Sequence, residues 1–175
     1  MGGCGFQLRG TIDLPPDWED LHLRTASPNS ELARALRDGA ARAGIRWQDL
    51  SDANYIVFLG NEEFRRRNLT IATNARAAEF ELEMSTNMRV TDREGNELLP
   101  ETVVRSTQII TNDPENIAGK AEEARLLRDE MRQLLVQELL RKLRFLAENS
   151  GAATSRAASS RAASSRAASS GAASS

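Results

Sequence analysis

Apolar and polar residues alternate almost without interruption between Arg76 and Asp92, and this segment constrains the fold most. Successive side chains of a β-strand point to opposite faces, so every second residue shares a face. A helix would spread the apolar residues around its whole circumference, which argues against a helix here. We therefore predict one long strand with a core face and a solvent face. The core face comprises Phe80, Leu82, Met84, Thr86, Met88 and Val90, and the solvent face comprises Glu79, Glu81, Glu83, Ser85, Asn87, Arg89 and Thr91.

A turn is predicted directly after this strand, at residues 93–96, which include Gly95 and Asn96. Glycine and asparagine tolerate the positive φ angles that tight hairpin turns require. A second extended run begins at Glu97, and residues 102–110 carry the apolar residues of a last strand. These features predict a central β-hairpin in a sheet that is covered on one face only.

The remaining elements are predicted from capping residues and apolar periodicity. Together with the hairpin they give the order β-α-β-β-β-α. We predict an α+β fold, with a mixed sheet of about four strands and two helices packed on one face. The elements outside the hairpin are a strand at Trp18–Thr25, a helix opened by Asn29 or Ser30 and closed by Gly44, a strand at Tyr55–Leu59 with a bulge or bend at Gly60, its resumption over 64–71, and a helix at 115–147.

Residues 150–175 differ in composition from the rest of the chain. They include no acidic and no large apolar residue, and Arg-Ala-Ala-Ser-Ser recurs from Arg156. Such a segment buries too little surface to offset its ordering entropy, so a disordered tail is predicted there. The folded domain is expected to span 18–149, after an N-terminal linker over 1–17.

The charge balance argues against nucleic acid as a partner. The chain has 23 basic and 25 acidic residues, and without the three tail arginines the balance is 20 to 25, a net charge of −5. Nucleic-acid binding depends on neutralising phosphates, which an acidic domain does poorly. The single cysteine excludes an internal disulfide, and no apolar run approaches the roughly 18 to 20 residues of a membrane-spanning helix.

Few residues of this chain are candidates for catalysis. It has one cysteine and one histidine and lacks a phosphate-binding loop. His22 lies on the opposite side of its predicted strand from Leu21 and Leu23, which is typical of a surface histidine. The glutamates of the long strand face solvent, where solubility or partner contact is the simpler role. We therefore predict no enzymatic activity, no metal and no cofactor.

Three consecutive arginines, Arg65, Arg66 and Arg67, allow two interpretations. A run of like charge is usually a solvated strand edge. Alternatively, the triplet is a basic patch that binds an anionic ligand such as a lipid phosphate, because arginine donates paired hydrogen bonds to phosphate oxygens.

The N-terminal sequence Cys4-Gly5-Phe6-Gln7-Leu8-Arg9 resembles the start of a mature bacterial lipoprotein, in which small residues precede an acylated cysteine. More narrowly, it resembles the LptE family of lipopolysaccharide (LPS)-assembly lipoproteins. Only three residues precede Cys4, so we expect that the start is truncated or misassigned. The resemblance continues over most of the domain, in the Ala-Glu-aromatic strand entry at 73–80, in Asn112-Asp113-Pro114 followed by Lys120, and in Glu130-Met131 with Leu139–Leu143 of the last helix.

The resemblance implies an outer-membrane lipoprotein anchored on the periplasmic side through Cys4. It implies that the chain binds and plugs the LPS translocon barrel (LptD), assists its assembly and contacts LPS during transport. The LPS-contacting lysine of the family falls on Lys120, whereas the family arginine aligns to Thr73, so that Arg76 is the candidate substitute. The alternative is a free-standing periplasmic binding module for an anionic lipid or peptide.

Overall fold

The computed structural model describes residues 14–71, 77–111 and 120–170. Within these ranges, one sheet and two helices follow a short 3₁₀ turn at Pro16–Trp18. The elements are β1 (Asp20–Thr25), α1 (Glu31–Arg42), β2 (Arg46–Trp47), β3 (Tyr55–Leu59), β4 (Glu63–Ile71), β5 (Ala77–Asp92), β6 (Glu97–Thr111) and α2 (Lys120–Ser170).

The sheet is mixed, as predicted. Strand β1 lies between β2 and β3 and is parallel to both. Strand β5 is antiparallel to β3, β4 and β6. Because a strand has only two edges, β3 and β4 share one edge of β5 and β6 occupies the other. The predicted first strand is shorter than expected, since Trp18 belongs to the 3₁₀ turn and stacks on Tyr55 at 4.2 Å between ring centroids. The two-residue strand β2 was not predicted.

Strands β3 and β4 form one interrupted strand, which confirms the bulge predicted at Gly60. Between the pairs Leu59–Met88 and Glu63–Ser85, β3 and β4 advance four residues while β5 advances three. One extra residue is therefore accommodated here. The Gly60 N–H donates to the β5 backbone at 2.8 Å, and a Cβ at this position would lie 3.2 Å from the same strand.

The alternating pattern of β5 is confirmed on its core face, where all six predicted residues are buried. The solvent face is more covered than predicted, because Ser85 and Thr91 are only 6% and 4% exposed. Both have short side chains between longer cross-strand neighbours. Ser85 lies between Glu63 and Arg105, and Thr91 lies between residues 56 and 97. The turn after β5 is confirmed, with Gly95 at φ 89°.

Helix α1 has the predicted ends. The hydroxyl of Ser30 accepts a hydrogen bond from the Ala33 N–H at 3.2 Å, and Gly44 follows the helix at φ 81°. Gly39 lies where α1 meets α2, and a Cβ there would be 2.8 Å from a methyl carbon of Val136. The glycine that lowers the helix propensity of this segment therefore permits close approach of the two helices.

Both helices pack on the same face of the sheet, as predicted. Their apolar residues and those of β1, β3, β5 and β6 form one core. Of two adjacent leucines in the fifth turn of α2, Leu135 is buried and Leu134 is 38% exposed. The core residues of α2 are Met131, Leu135, Val136, Leu139, Leu143 and Ala147.

Helix α2 starts at Lys120 and continues to Ser170, into the segment that was predicted to be disordered. The backbone over 150–170 is helical in the structure. Its alanine-rich composition gives a high intrinsic helix propensity, and this local preference needs no buried surface. None of the helices in the described part of the chain combines the length and apolarity that crossing a bilayer requires.

Candidate functional site

The sheet face opposite the helices is uncovered by any described element, and we call it the open face. The strand register places on it every second residue of β1, β3, β4, β5 and β6. Its charged, aromatic and apolar members include His22, Arg24, Ile56, Phe58, Glu63, Arg65, Arg67, Glu79, Glu81, Glu83, Arg89, Glu97, Glu101, Val103, Arg105 and Ile109.

The arginine triplet of β4 does not form a single patch. Arg65 and Arg67 lie on the open face, where they are paired with Glu63 at 3.0 Å and with Glu81 at 2.9 Å. Arg66 lies on the opposite face, with its guanidinium carbon 3.4 Å from the centroid of the Phe80 ring. Two of the three charges are thus compensated locally, and the third is on the other side of the sheet.

Opposite charges alternate across the centre of the open face. Glu83 of β5 accepts from Arg105 of β6 at 3.4 Å, next to the Arg67–Glu81 pair. A shallow hollow of about 470 Å³ lies over these side chains. Exposed cross-strand pairs of this kind contribute roughly 0.2–1 kcal/mol each. Their effect is a polar surface with little net field.

A second cationic group was missed by the sequence analysis. The register aligns Arg24 of β1, Phe58 of β3 and Arg89 of β5 in one row. The guanidinium carbons of Arg24 and Arg89 lie 5.6 and 4.0 Å from the centroid of the Phe58 ring. Arg89 also pairs with Glu97 at 3.4 Å, whereas Arg24 has no ion-pair partner among the described carboxylates. The only sequence signal was the position of Arg24 and Arg89 on the solvent sides of their strands.

A buried arginine fixes α2 to the bulge between β3 and β4. Arg132 is 8% exposed and donates to Glu62 at 2.6 and 2.9 Å, to Asp129 at 2.6 Å and to Glu31 at 2.8 Å. The pKa of Arg132 is raised above its ordinary value, and the hydrogen bonds that Arg132 donates to Glu62 are the largest cause. We call these four residues the Arg132 cluster. It joins α1, α2 and the bulge at one point.

The other perturbed groups have structural roles. The hydrogen bonds from Arg46 lower the pKa of Asp20, and this pair links β1 to β2. Burial is the first cause of the raised pKa of Tyr55, followed by the charges of Asp17 and Asp92. Among the described residues, no group of three or more histidine, cysteine, aspartate or glutamate side chains is arranged to hold a metal ion.

The site residues implied by the family resemblance lie mostly outside the described residues. Cys4, Thr73 and Arg76 are not described, and for Lys120 the structure gives only its backbone position as the first residue of α2. The structure does bring the flanks of these segments together. Ile71 pairs with Ala77, and Thr111 pairs with Glu79, so the described residues that flank 72–76, and the residue that precedes 112–119, lie at the same end of the sheet.

Solved bacterial lipoproteins share this fold. The rare lipoprotein B of Shewanella oneidensis matches 71% of this chain and 92% of its own, with a TM-score of 0.62 and 23% identity. An uncharacterized lipoprotein B of Nitrosomonas europaea, solved by NMR, matches 85% of this chain and 94% of its own, with a TM-score of 0.66 and 22% identity. The chain therefore has the α+β fold of these small lipoproteins.

Sequence comparison identifies the family. The LptE family model, described as lipopolysaccharide-assembly, matches residues 18–143. LPS-assembly lipoprotein LptE of Yersinia enterocolitica is 31% identical over 144 residues, which are 81% of this chain and 68% of the relative. The protein of the same name from Yersinia pestis is 30% identical over the same length. The chain belongs to the LptE family of LPS-assembly lipoproteins, as the sequence resemblance predicted.

Proposed function

We propose that this chain is an outer-membrane LPS-assembly lipoprotein that binds and plugs the LPS translocon barrel (LptD), assists its assembly and contacts LPS during transport. The family match over residues 18–143 carries this proposal, because it covers both faces of the sheet and most of the core. The open face supports the role of a plug. The lumen of an outer-membrane barrel is polar, and a face of internally paired charges is compatible with such surroundings.

A plug also has to keep its shape inside the barrel. The Arg132 cluster joins both helices to the bulge of the sheet, and the two helices are in close contact at Gly39. These contacts support a rigid body whose helix layer does not slide over the sheet.

The proposed LPS contacts involve residues whose described sheet neighbours, Ile71, Ala77 and Thr111, lie at one end of the sheet. Arg76 and Thr73 belong to residues 72–76, and Lys120 directly follows residues 112–119. Cationic donors at one end of the sheet would meet the phosphates of LPS, which charge-assisted hydrogen bonds bind strongly. Acylation of Cys4 would anchor this assembly to the outer membrane from its periplasmic side. No catalytic, metal or cofactor chemistry and no nucleic acid is part of the proposal.

Purification from outer membranes tests the partnership. The chain would be expressed with an affinity tag from its own locus in its native bacterium and extracted with mild detergent. Co-purification of a large β-barrel protein in equal amount is the expected result. Recovery as a monomer without a barrel would contradict the proposal and would favour the free-standing periplasmic module for an anionic lipid or peptide.

The LPS contact needs its own test. Lys120→Ala and Arg76→Ala should each weaken LPS binding by about tenfold or more, because one charge-assisted hydrogen bond contributes about 1.5–3 kcal/mol. Arg125→Ala is a matched control, since Arg125 lies on the same helix but is paired with Glu122 at 2.7 Å. Equal losses in the control and in the test variants would show a general charge effect and would contradict an assigned site.

A further inference from the structure

Among the described strands, β6 has a long edge without a neighbour. Within the described residues it pairs with β5 alone, over almost its whole length of 15 residues. The other free edges of the sheet are protected. Strand β2 has only two residues, and β4 carries three arginines. Natural sheets use short strands and edge charges in this way to prevent pairing with other chains.

The hydrogen bonds around β5 determine which groups of β6 are free. The Gly60 N–H donates to the Asn87 carbonyl, so the odd-numbered residues of β5 direct their backbone groups toward β3 and β4. The Asp92 N–H donates to the Asn96 carbonyl, so the even-numbered residues direct theirs toward β6. Their partners in β6 are also even-numbered, as in the pair Met84–Ser106. The odd-numbered residues of β6 therefore direct their N–H and C=O groups outward.

The outward positions are exposed and weakly protected. Val103 and Ile109 are 48% and 62% exposed, and the side chains of Arg105, Thr107 and Thr111 are exposed as well. Between residues 102 and 111 the strand has no proline, glycine, lysine or acidic residue, and Arg105 is its single charged residue. The usual protection is confined to the start of β6, where residue 100 is a proline and the register shifts against β5.

We propose that the edge of β6 from Val103 to Thr111 binds an extended segment of the barrel partner by strand addition, and we call it the β6 edge. This inference rests on the proposed function. A closed barrel wall has no unpaired strand edge, so the segment must come from a loop or a soluble part of the partner. Backbone hydrogen bonds supply the affinity in this mode, and alternate side chains supply the specificity.

The side chains of the β6 edge indicate the chemistry of that segment. On the open face, the added strand lies beside Val103 and Ile109, which favours β-branched or apolar residues at two of its positions. Arg105 lies between them and is bound to Glu83 at 3.4 Å, a long distance for an ion pair. A carboxylate of the added strand would complete the donors of Arg105, so an acidic residue is favoured opposite it.

Amide hydrogen exchange at single-residue resolution tests this inference on the full chain, first alone and then in the complex with the co-purified barrel. In the isolated chain, the odd-numbered amides from 103 to 109 should exchange fast, while the even-numbered amides from 104 to 108 are protected. In the complex the odd-numbered amides should slow by at least about tenfold. A bound barrel without this protection would overturn the inference and leave the proposed function intact.

Two other outcomes would also overturn the inference. Protection of the odd-numbered amides in the isolated chain would show that the chain itself or a second copy occupies the edge, and dilution would distinguish these two. If no barrel co-purifies, the proposed function fails and the β6 edge proposal fails with it. That outcome is recognisable before any exchange is measured.

Substitution at Thr107 supplies a matched pair of variants. Thr107→Pro removes one outward N–H without removing a hydrogen bond to β5, and proline is tolerated at such edge positions. Thr107→Val keeps the N–H and a similar shape. The proline variant should lower retention of the barrel up to about tenfold, and the valine variant should not.

Ile109→Lys, which adds an edge charge without changing the backbone, should act like the proline variant. Normal retention in all three folded variants would contradict strand addition.

Discussion

Replacement of Arg132 by methionine should destabilise the fold by about 3 kcal/mol. The side chain of Arg132 is 8% exposed, and its main partner Glu62 is 22% exposed. Removal of one partner from a buried ion pair costs about 3–5 kcal/mol, because the other charge remains unpaired. The bonds to Glu31 and Asp129 add little, since these side chains are 65% and 47% exposed. We therefore expect the lower end of that range.

Urea denaturation followed by circular dichroism would measure this loss. For a domain of this size, about 3 kcal/mol corresponds to a decrease in melting temperature of roughly 6–12 °C. Arg132 remains charged throughout the accessible pH range, as arginines do, and Glu62 raises its pKa further. The effect of the substitution should therefore not arise from titration of the arginine itself. Arg125→Met, which removes an exposed pair with Glu122, is the control and should leave stability unchanged within error.

A double-mutant cycle separates the ion pair from simple packing. In the Glu62→Gln background, Arg132→Met should cost about 1–2 kcal/mol less, because no unpaired carboxylate remains at the bulge. If the loss is below about 1 kcal/mol in the single variant, or unchanged by Glu62→Gln, Arg132 is only a packed side chain. The view that it fixes α2 to the sheet would then be wrong.

Three further predictions test the helix interface, the core and the central turn. Gly39→Ala should destabilise the fold by about 1 kcal/mol, because crowding against the β-branched Val136 outweighs the gain of about 1 kcal/mol in helix propensity. The same change should stabilise a Val136→Ala background, where the crowding is relieved. Urea denaturation of the original chain, the two single variants and the double variant gives the sign of each effect. Met84→Ala should cost about 2–5 kcal/mol in the same assay, since Met84 is fully buried, and a loss under 1 kcal/mol would place it outside the core. Hydrogen bonds from Asn96 lower the pKa of Asp92 in the folded state, so the resulting stabilisation is present above the unfolded pKa of about 4 and is lost as the pH falls through the folded pKa. Asp92→Asn should remove this part of the acid dependence of stability. An unchanged dependence of stability on pH between pH 2 and 6 would refute the role given to Asp92.

The elements that the sequence predicted well depend on local physics. The alternation along β5 and the capping at Ser30 and Gly44 are properties of a few neighbouring residues, and the structure confirms them. The sequence also contained the information that the three arginines cannot all lie on one face of the sheet. In an extended strand, Arg66 must face away from its two neighbours, so a patch of three was never compatible with the predicted strand.

The remaining features depend on which strands become neighbours. Arg132 and Glu62 are 70 residues apart in the chain, and no periodicity connects them. The row of Arg24, Phe58 and Arg89 exists only because β3 lies between β1 and β5 in one particular register. The burial of Ser85 likewise depends on its cross-strand neighbours. The helical backbone over 150–170 shows the opposite case, in which the alanine-rich composition of the segment favours the conformation locally.

The β6 edge ends at Thr111, next to the described residues that flank the proposed LPS contact, but the substitution at Thr107 lies farther along the strand. Thr107 is four residues from Thr111, about 13 Å at the rise of an extended chain. Additivity is expected for sites so far apart. Thr107→Pro should therefore weaken barrel retention without changing LPS binding by the isolated chain, and Lys120→Ala should do the reverse. If both variants impair both functions equally, the two sites are coupled through the fold, and neither substitution can be interpreted as the loss of a local contact.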